Sequence, residues 1–131
     1  MTVQIDSTAS ILRKRFGAIL QARREDIGMT QLDMCVELDY SAPTMVSQVE
    51  RGTSALPEVD LMLWADLLRI NRAEFAHRYT RYCRPFVHEA MTGEDVFKAE
   101  GLARPAKTIK PRPKKRGADA KLDSRQVIDR I

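Results

Sequence analysis

The sequence predicts an all-α protein. Apolar residues recur at helical spacing over most of the first hundred positions, and no stretch shows the apolar–polar alternation of a half-buried strand. Capping residues and prolines divide this pattern into short helices. The chain has 131 residues, of which 44% are hydrophobic, which suits one small packed domain with residues left over for a tail.

The first two predicted helices are separated by a glycine. Helix one is expected to begin near Ser10 and to end at Gly28, because glycine adopts the positive φ of a C′ residue without strain. Thr30 is expected to cap helix two, with Asp33 completing a capping box. The basic residues of helix one, including Arg24, are expected to face away from the core. The stripe that faces the core consists of Leu12, Phe16, Ile19 and Leu20.

Three further helices follow a turn at residues 39–41. Ser41 is expected to cap helix three and Pro43 to lie in its first turn, where a missing N–H costs nothing. Gly52 is expected to end this helix, whose predicted buried residues are Met45, Val46 and Val49. Pro57 is expected to open helix four, which is dense enough in apolar residues to be the central helix. These residues are Val59, Leu61, Met62, Leu63, Trp64, Leu67 and Leu68.

Helix five and a short extension complete the predicted helices. Asn71 is expected to cap helix five together with Glu74, and Pro85 is expected to stop it. Residues 86–102 are expected to hold one or two short helices, one of them starting at Glu94-Asp95.

Basic residues are concentrated in one stretch of the chain. The formal net charge is +4, but residues 1–103 carry 12 basic and 15 acidic side chains. Residues 104–116, the basic segment, carry seven basic side chains and no acidic one, together with three prolines. We expect this segment to contact a polyanion, and an unstructured solubility tail is the alternative. Its basic residues are Arg104, Lys107, Lys110, Arg112, Lys114, Lys115 and Arg116.

These features predict three parts of the chain and exclude several functions. The parts are a five-helix domain over 10–84, a helical extension over 85–103, and the basic segment with the C-terminal residues over 104–131. The sequence contains no Gly-rich phosphate loop, nucleophile elbow or metal quartet, so we expect no enzyme, cofactor or metal. Cys35 and Cys83 are expected to be small core residues rather than a disulfide. No apolar run suits a membrane span and no secretory signal is present, which predicts a cytoplasmic protein.

Helices two and three form a pair that suits DNA binding. Two short helices joined by a tight turn allow the second to enter the major groove while the first lies on the phosphate backbone. Three motifs stand out: Gly28-Met29-Thr30-Gln31, residues 41–52 with their ending Ser47-Gln48-Val49-Glu50-Arg51-Gly52, and Pro57 with the Leu-rich helix four. Through these motifs, residues 11–82 resemble the lambda-repressor-like helix-turn-helix family, also called the xenobiotic-response-element type.

The resemblance implies a five-helix domain that binds double-stranded DNA and represses a nearby promoter, in the manner of prokaryotic or phage regulators. Such proteins bind palindromic DNA as dimers, which implies a nucleoid-associated homodimer. The apolar residues of 86–102 and of 122–131 are the candidates for the dimer contact. Helix three is expected to lie in the major groove, with two such helices roughly 34 Å apart.

The resemblance also implies which residues contact DNA. Gln31 matches the family's phosphate-contacting glutamine, while Pro43, Thr44 and Gln48 match its base-contacting positions. Gln48 suits adenine, and the Thr44 methyl suits a thymine methyl. The segment from Gln31 to Gly52 is one residue longer than the common spacing, and Asp39-Tyr40 replaces the usual small turn residue, so Ala42 or Met45 is an alternative base contact. The expected DNA-contacting residues outside the basic segment are Gln31, Ser41, Ala42, Pro43, Thr44, Ser47, Gln48 and Arg51.

A different class of function stays open beside the DNA-binding one. The same fold is compatible with a protein-interaction module, such as an anti-activator, an adaptor, or an antitoxin that binds its partner through the C-terminal region. The net acidic charge of residues 1–103 and the proline at position 43 favour this alternative. The Thr-Gln and Glu-Arg-Gly motifs favour DNA binding, because they match helix ends that contact the phosphate backbone.

Overall fold

The structure, a computed structural model, describes residues 7–105. Within this range the chain forms seven α-helices and one short 3-10 turn and has no strand, which confirms the predicted all-α class. None of these helices is both long and apolar enough to cross a membrane.

The helices follow one another closely along the chain. Their bounds are α1 Thr8–Asp26, α2 Gln31–Leu38, α3 Thr44–Arg51, α4 Leu61–Leu67, α5 Arg72–Cys83, α6 Pro85–Thr92 and α7 Val96–Ala99. The 3-10 turn, Glu58–Asp60, directly precedes α4.

The central helix is α1, which packs mainly against α3 and α5. The prediction that helix four is central is therefore wrong. The helix α4 has only two turns and buries one face through Trp64 and Ala65. Because α4 packs on α2 and α5 through this face alone, part of the apolar run is exposed. The exposed residues are Val59, Met62 and Leu63.

Aromatic rings join α1 to α5 in the main core. The ring centroid of Phe16 lies 5.9 Å from that of Phe75, 6.1 Å from that of Tyr79 and 6.0 Å from that of Tyr82. Trp64 is fully buried beside them in the same cluster. The predicted stripe of helix one is confirmed at three of its four positions, since Leu12, Phe16 and Leu20 are buried and Ile19 is half-buried.

A second, smaller cluster attaches the last two helices to the others. Leu12 of α1 packs with Val96 and Phe97 of α7, and all three side chains are buried. Arg81 of α5 donates to a carboxylate oxygen of Glu100 at 2.8 Å. The residues beyond Pro85 are therefore packed on α1 and α5.

A reciprocal capping box begins α2, as predicted. The N–H of Asp33 donates to Oγ1 of Thr30 at 3.0 Å, and the N–H of Thr30 donates to Oδ2 of Asp33 at 2.9 Å. The hydrogen bond from the Thr30 backbone holds the pKa of Asp33 below its ordinary value. The carboxylate stays charged at the positive end of the helix dipole, which stabilises this first turn.

Side chains cap three other helices. The predicted cap Asn71 of α5 is confirmed, and the helix start expected at Glu94-Asp95 is confirmed with Asp95 as the cap of α7. Each side chain accepts from the backbone N–H three residues later. Ser7 caps α1 in the same way, so α1 begins at Thr8, before the expected position near Ser10. Pro85 follows the last turn of α5 and also occupies the first turn of α6, where its missing N–H costs nothing.

Three predictions about helix three are wrong. Ser41 does not cap it and Pro43 does not lie in its first turn, because α3 begins at Thr44 with Pro43 in the N-cap position. The residue before a proline is disfavoured in the α conformation, so Ala42 prevents the helix from extending back to Ser41. Met45 is 37% exposed rather than buried. The buried face of α3 is made by Val46, Val49 and Glu50.

Side chains of α5 and α6 hold a carboxylate of the extension. Glu94 accepts two hydrogen bonds of 3.1 Å from Arg81 and lies 2.7 Å from Nε2 of the buried His88. The hydrogen bonds from Arg81 contribute most, and together with the His88 contact they lower the pKa of Glu94 to about 2.

Both thiols of the described chain, Cys35 and Cys83, are free, and Cys35 is buried as predicted.

An acid titration tests whether Glu94 stabilises the packed extension. Because its pKa falls from 4.5 to about 2 on folding, the ionised carboxylate stabilises the fold above about pH 4.5, and this contribution is lost as the pH falls towards 2. We expect Glu94→Gln to be less stable than the wild type at pH 6 in urea unfolding, and the difference to shrink towards pH 2. A difference that is constant over this range would contradict the account.

Candidate nucleic-acid interface

A buried ion pair connects α1 to α3. Arg24 donates from Nε to Oε2 of Glu50 at 2.6 Å and from Nη2 to Oε1 at 3.1 Å. The side chains are 8% and 1% exposed. The hydrogen bond to Glu50 raises the pKa of Arg24 above its ordinary value. This bidentate pair fixes the relative orientation of the two side chains, whereas a single hydrogen bond would leave it free to vary.

The same pair also holds the start of α2. Gln31 donates from Nε2 to Oε1 of Glu50 at 2.9 Å, and Arg24 donates from Nη1 to the carbonyl oxygen of Met29 at 2.7 Å. One network therefore joins α1, the α1–α2 loop, α2 and α3. We call Arg24, Glu50, Gln31 and the Met29 carbonyl the anchor network. No buried side-chain nitrogen or oxygen atom lacks a partner in the described part of the chain.

The anchor network corrects one expectation about a charged residue. Arg24 is predicted to face away from the core, but it is buried. The sequence carries a signal for this, since Arg24 lies four residues after Leu20 and continues the i, i+4 stripe of Leu12 and Phe16. Glu50 is likewise buried, so its position at a helix end does not make it a solvated surface residue.

Close backbone contact between α1 and α3 requires two glycines. A Cβ at Gly17 would collide with the backbone carbonyl of Glu50, and a Cβ at Gly52 would lie 2.6 Å from Cα of Lys14. Gly52 also has a φ of 76°, as expected for the residue that ends helix three. Arg13 donates from Nε to the carbonyl oxygen of Gly52 at 2.8 Å and so holds the end of α3.

The turn between α2 and α3 is positioned by two residues. Asp39 adopts a left-handed φ of 58°, the conformation that glycine favours and aspartate tolerates. The hydroxyl of Tyr40 donates to Oδ2 of Asp60 at 2.8 Å and accepts from Nε1 of Trp64 at 3.0 Å. Burial and the contact with the Asp60 carboxylate raise the pKa of Tyr40 to about 12, although the hydrogen bond from Trp64 acts in the opposite direction. These contacts tie the turn to α4.

The outer face of α3 is exposed and carries no carboxylate. At 100° per residue, Thr44, Gln48 and Arg51 lie on one stripe opposite the buried face, and all three are exposed. Ser47, on the flank, is half-buried. Glu50 is the only acidic residue between Asp39 and Glu58, and it points into the core. This face is therefore free of the negative charge that would repel phosphate.

The structure brings together most of the expected DNA-contacting residues that lie outside the basic segment. Ser41, Pro43, Thr44, Gln48 and Arg51 are exposed on α3 or in the turn before it, and Ala42 is half-buried there. Oε1 of Gln48 accepts a long hydrogen bond of 3.4 Å from Ser54. The side-chain N–H groups of Gln48 have no hydrogen-bond partner in the described chain.

Gln31 and Arg104 have partners within the fold. One amide hydrogen of the half-buried Gln31 goes to Glu50, which leaves the second for another acceptor. Arg104 donates to Glu89 at 2.7 Å, lies 3.2 Å from Asp95 and has its guanidinium 5.1 Å from the Phe86 ring centroid. It is thus attached to the extension. The other basic-segment residues lie outside the described residues: Lys107, Lys110, Arg112, Lys114, Lys115 and Arg116.

Replacing Glu50 tests the anchor network. In Glu50→Ala the guanidinium of Arg24 stays buried without its carboxylate, and we expect a loss of about 3–5 kcal/mol in the free energy of unfolding, measured with urea. Glu74→Ala is the matched control, because it removes a carboxylate from an exposed ion pair with Arg78. A surface pair of this kind contributes little. Equal losses in the two variants would contradict the assigned role of Glu50.

Comparison of the chain with protein-family models, with curated proteins and with solved structures found no match. The resemblance to lambda-repressor-like proteins therefore stays a prediction from the motifs at residues 28–31 and 41–52.

Proposed function

We propose that this protein is a sequence-specific DNA-binding regulator whose helix α3 enters the major groove. The observation that carries the proposal is the division of charge on α3. Its one carboxylate, Glu50, is buried and paired with Arg24, while its outer face exposes a hydroxyl, an amide and a guanidinium. A helix held firmly on a scaffold, with neutral and cationic groups outward, suits a groove bordered by phosphates.

The exposed residues of α3 divide into two roles under this proposal. Thr44 and Gln48 face base edges, since they lie on the outer stripe in its first two turns. Arg51, at the end of that stripe, and Ser47, on its flank, contact phosphates and set the register. The second amide hydrogen of Gln31 supplies a further phosphate contact, as the resemblance implies. The basic segment adds affinity that depends on salt concentration.

A homodimer is the second part of the proposal. The structure has an apolar groove of about 680 Å³ between α4, α5 and α6. Met62, Val87 and Met91 line it and are exposed, and the last two belong to the 86–102 segment expected to form the dimer contact. A second copy bound by the same surface gives a two-fold dimer, which matches the symmetry of a palindromic site. Repression of the adjacent promoter follows if that site overlaps it.

The alternative, a protein-interaction module, is favoured by one observation. On the outer side of α2 the apolar residues Leu32 and Val36 are 58% and 66% exposed. Exposed apolar side chains on a helix next to α3 suit a protein partner better than a phosphate backbone. A chain that binds its own upstream DNA no better than a scrambled duplex would support this alternative.

A binding titration tests the DNA proposal with the full chain. The probes are the DNA upstream of its own gene and a scrambled duplex of the same composition. We expect a preference for the first probe that Thr44→Ala/Gln48→Ala reduces by roughly tenfold or more, because a good base contact contributes about 1–3 kcal/mol. Sedimentation of the specific complex should give two chains per duplex.

Two single-charge variants provide the controls. Arg51→Ala should weaken binding to both duplexes alike and make the salt dependence shallower, since a phosphate contact carries no sequence information. Arg78→Ala also removes one positive charge, but from α5, where Arg78 forms an exposed ion pair with Glu74. It should change neither the affinity for the two duplexes nor its salt dependence. Equal binding of both duplexes by the wild type would contradict sequence-specific DNA binding. One chain per specific duplex would contradict the homodimer.

A further inference from the structure

The first turn of α3 exposes apolar groups. Pro43 and Thr44 are exposed, and Met45 is 37% exposed at the same end of the helix. The sulfur of Met45 lies 3.6 Å from Oγ of Ser41, which places this side chain beside the turn that precedes the helix. The exposed surface at this end of the helix therefore includes the Thr44 methyl group, a pyrrolidine ring and a thioether chain.

Apart from the hydroxyls of Ser41 and Thr44, this end of the helix has few side-chain hydrogen-bonding groups. Pro43 has no N–H, Ala42 and Met45 have no polar side-chain group other than a thioether, and the hydroxyl of Ser41 already contacts the Met45 sulfur. No lysine, arginine, asparagine, aspartate or glutamate occurs from position 40 to position 49. The usual partners of guanine and cytosine in the major groove are thus missing from this turn.

The major-groove edges of the four bases present one apolar group, the 5-methyl of thymine. We propose that the first turn of α3 recognises thymine 5-methyl groups through Pro43, the Thr44 methyl and Met45. Gln48, one turn further along, makes the polar contact, for which adenine is the best partner. The half-site is therefore rich in A·T pairs where this turn enters the groove. This inference rests on the proposed DNA-binding function.

The size of the effect follows from the area that a methyl group buries. Burial of one methylene-sized group contributes about 0.8 kcal/mol, which corresponds to about a fourfold change in affinity for each thymine methyl contacted. Uracil lacks only this methyl and keeps the pairing edge and the O4 acceptor. Replacing thymine by uracil therefore isolates the proposed contact.

The experiment has two stages with the full chain. Selection from a random duplex pool first identifies the preferred site, for which we expect an A·T-rich half-site. The affinity is then measured for that site made with thymine and with uracil in the half-sites. We expect uracil to weaken binding by about fourfold per contacted methyl.

Variants connect the effect to α3. Thr44→Ser keeps the hydroxyl and removes the methyl, so it should weaken binding to thymine DNA by about fourfold and have less effect on uracil DNA. Met45→Ala should behave in the same way. Arg51→Ala is the control, because loss of a phosphate contact should leave the thymine-to-uracil ratio at its wild-type value.

Each outcome decides between the two proposals. A selected site bound equally well with uracil overturns the thymine inference and leaves the DNA-binding function standing. A uracil effect that both Thr44→Ser and Met45→Ala retain in full overturns it too, because the methyl contacts then lie elsewhere. Failure to select any preferred sequence overturns the proposed function itself, and the thymine inference with it.

Discussion

The orientation of α3 depends on the ion pair between Arg24 and Glu50. Burying two charges is costly, and attraction compensates for the cost only when the remaining hydrogen-bonding groups are also satisfied. Here they are, because Arg24 also reaches the Met29 carbonyl and Glu50 also accepts from Gln31. The pair thus holds three helices at once. It also withdraws the only carboxylate of α3 from the surface, so the same contact that orients this helix makes its outer face acceptable to a polyanion.

Close backbone contacts at two glycines and the hydrogen bonds of one tyrosine also position α3. Gly17 lets the backbones of α1 and α3 come close together, and Gly52 ends α3 against Lys14. The hydroxyl of Tyr40 fastens the α2–α3 turn to α4 through Asp60 and Trp64. Helix α3 is therefore fixed at its start, along its inner face and at its end. A helix fixed in this way loses little conformational entropy on binding, which favours affinity and specificity.

Local patterns in the sequence predict much of the fold. The caps at Thr30 and Asn71 and the glycine that ends α3 depend on residues within one turn, and the structure has them as expected. Contacts between distant helices are harder to predict. Arg24 is buried because Glu50, 26 residues later, supplies a partner. Met45 is exposed because Val46 and Val49 take the buried face of α3. Periodicity gives the possible faces of a helix, and only the packing of its neighbours selects one. The same applies to the candidate site, where the motif locates α3 but not its outward stripe.

The central claim is that the outer face of α3 is the surface that contacts DNA. An NMR titration of the isotope-labelled full chain with its upstream DNA tests this most directly, because every backbone amide reports its own environment. If α3 contacts DNA, the largest chemical-shift changes occur in residues 41–51 and at the start of α2. Changes confined to residues 104–131, or to the groove lined by Met62 and Met91, would contradict it.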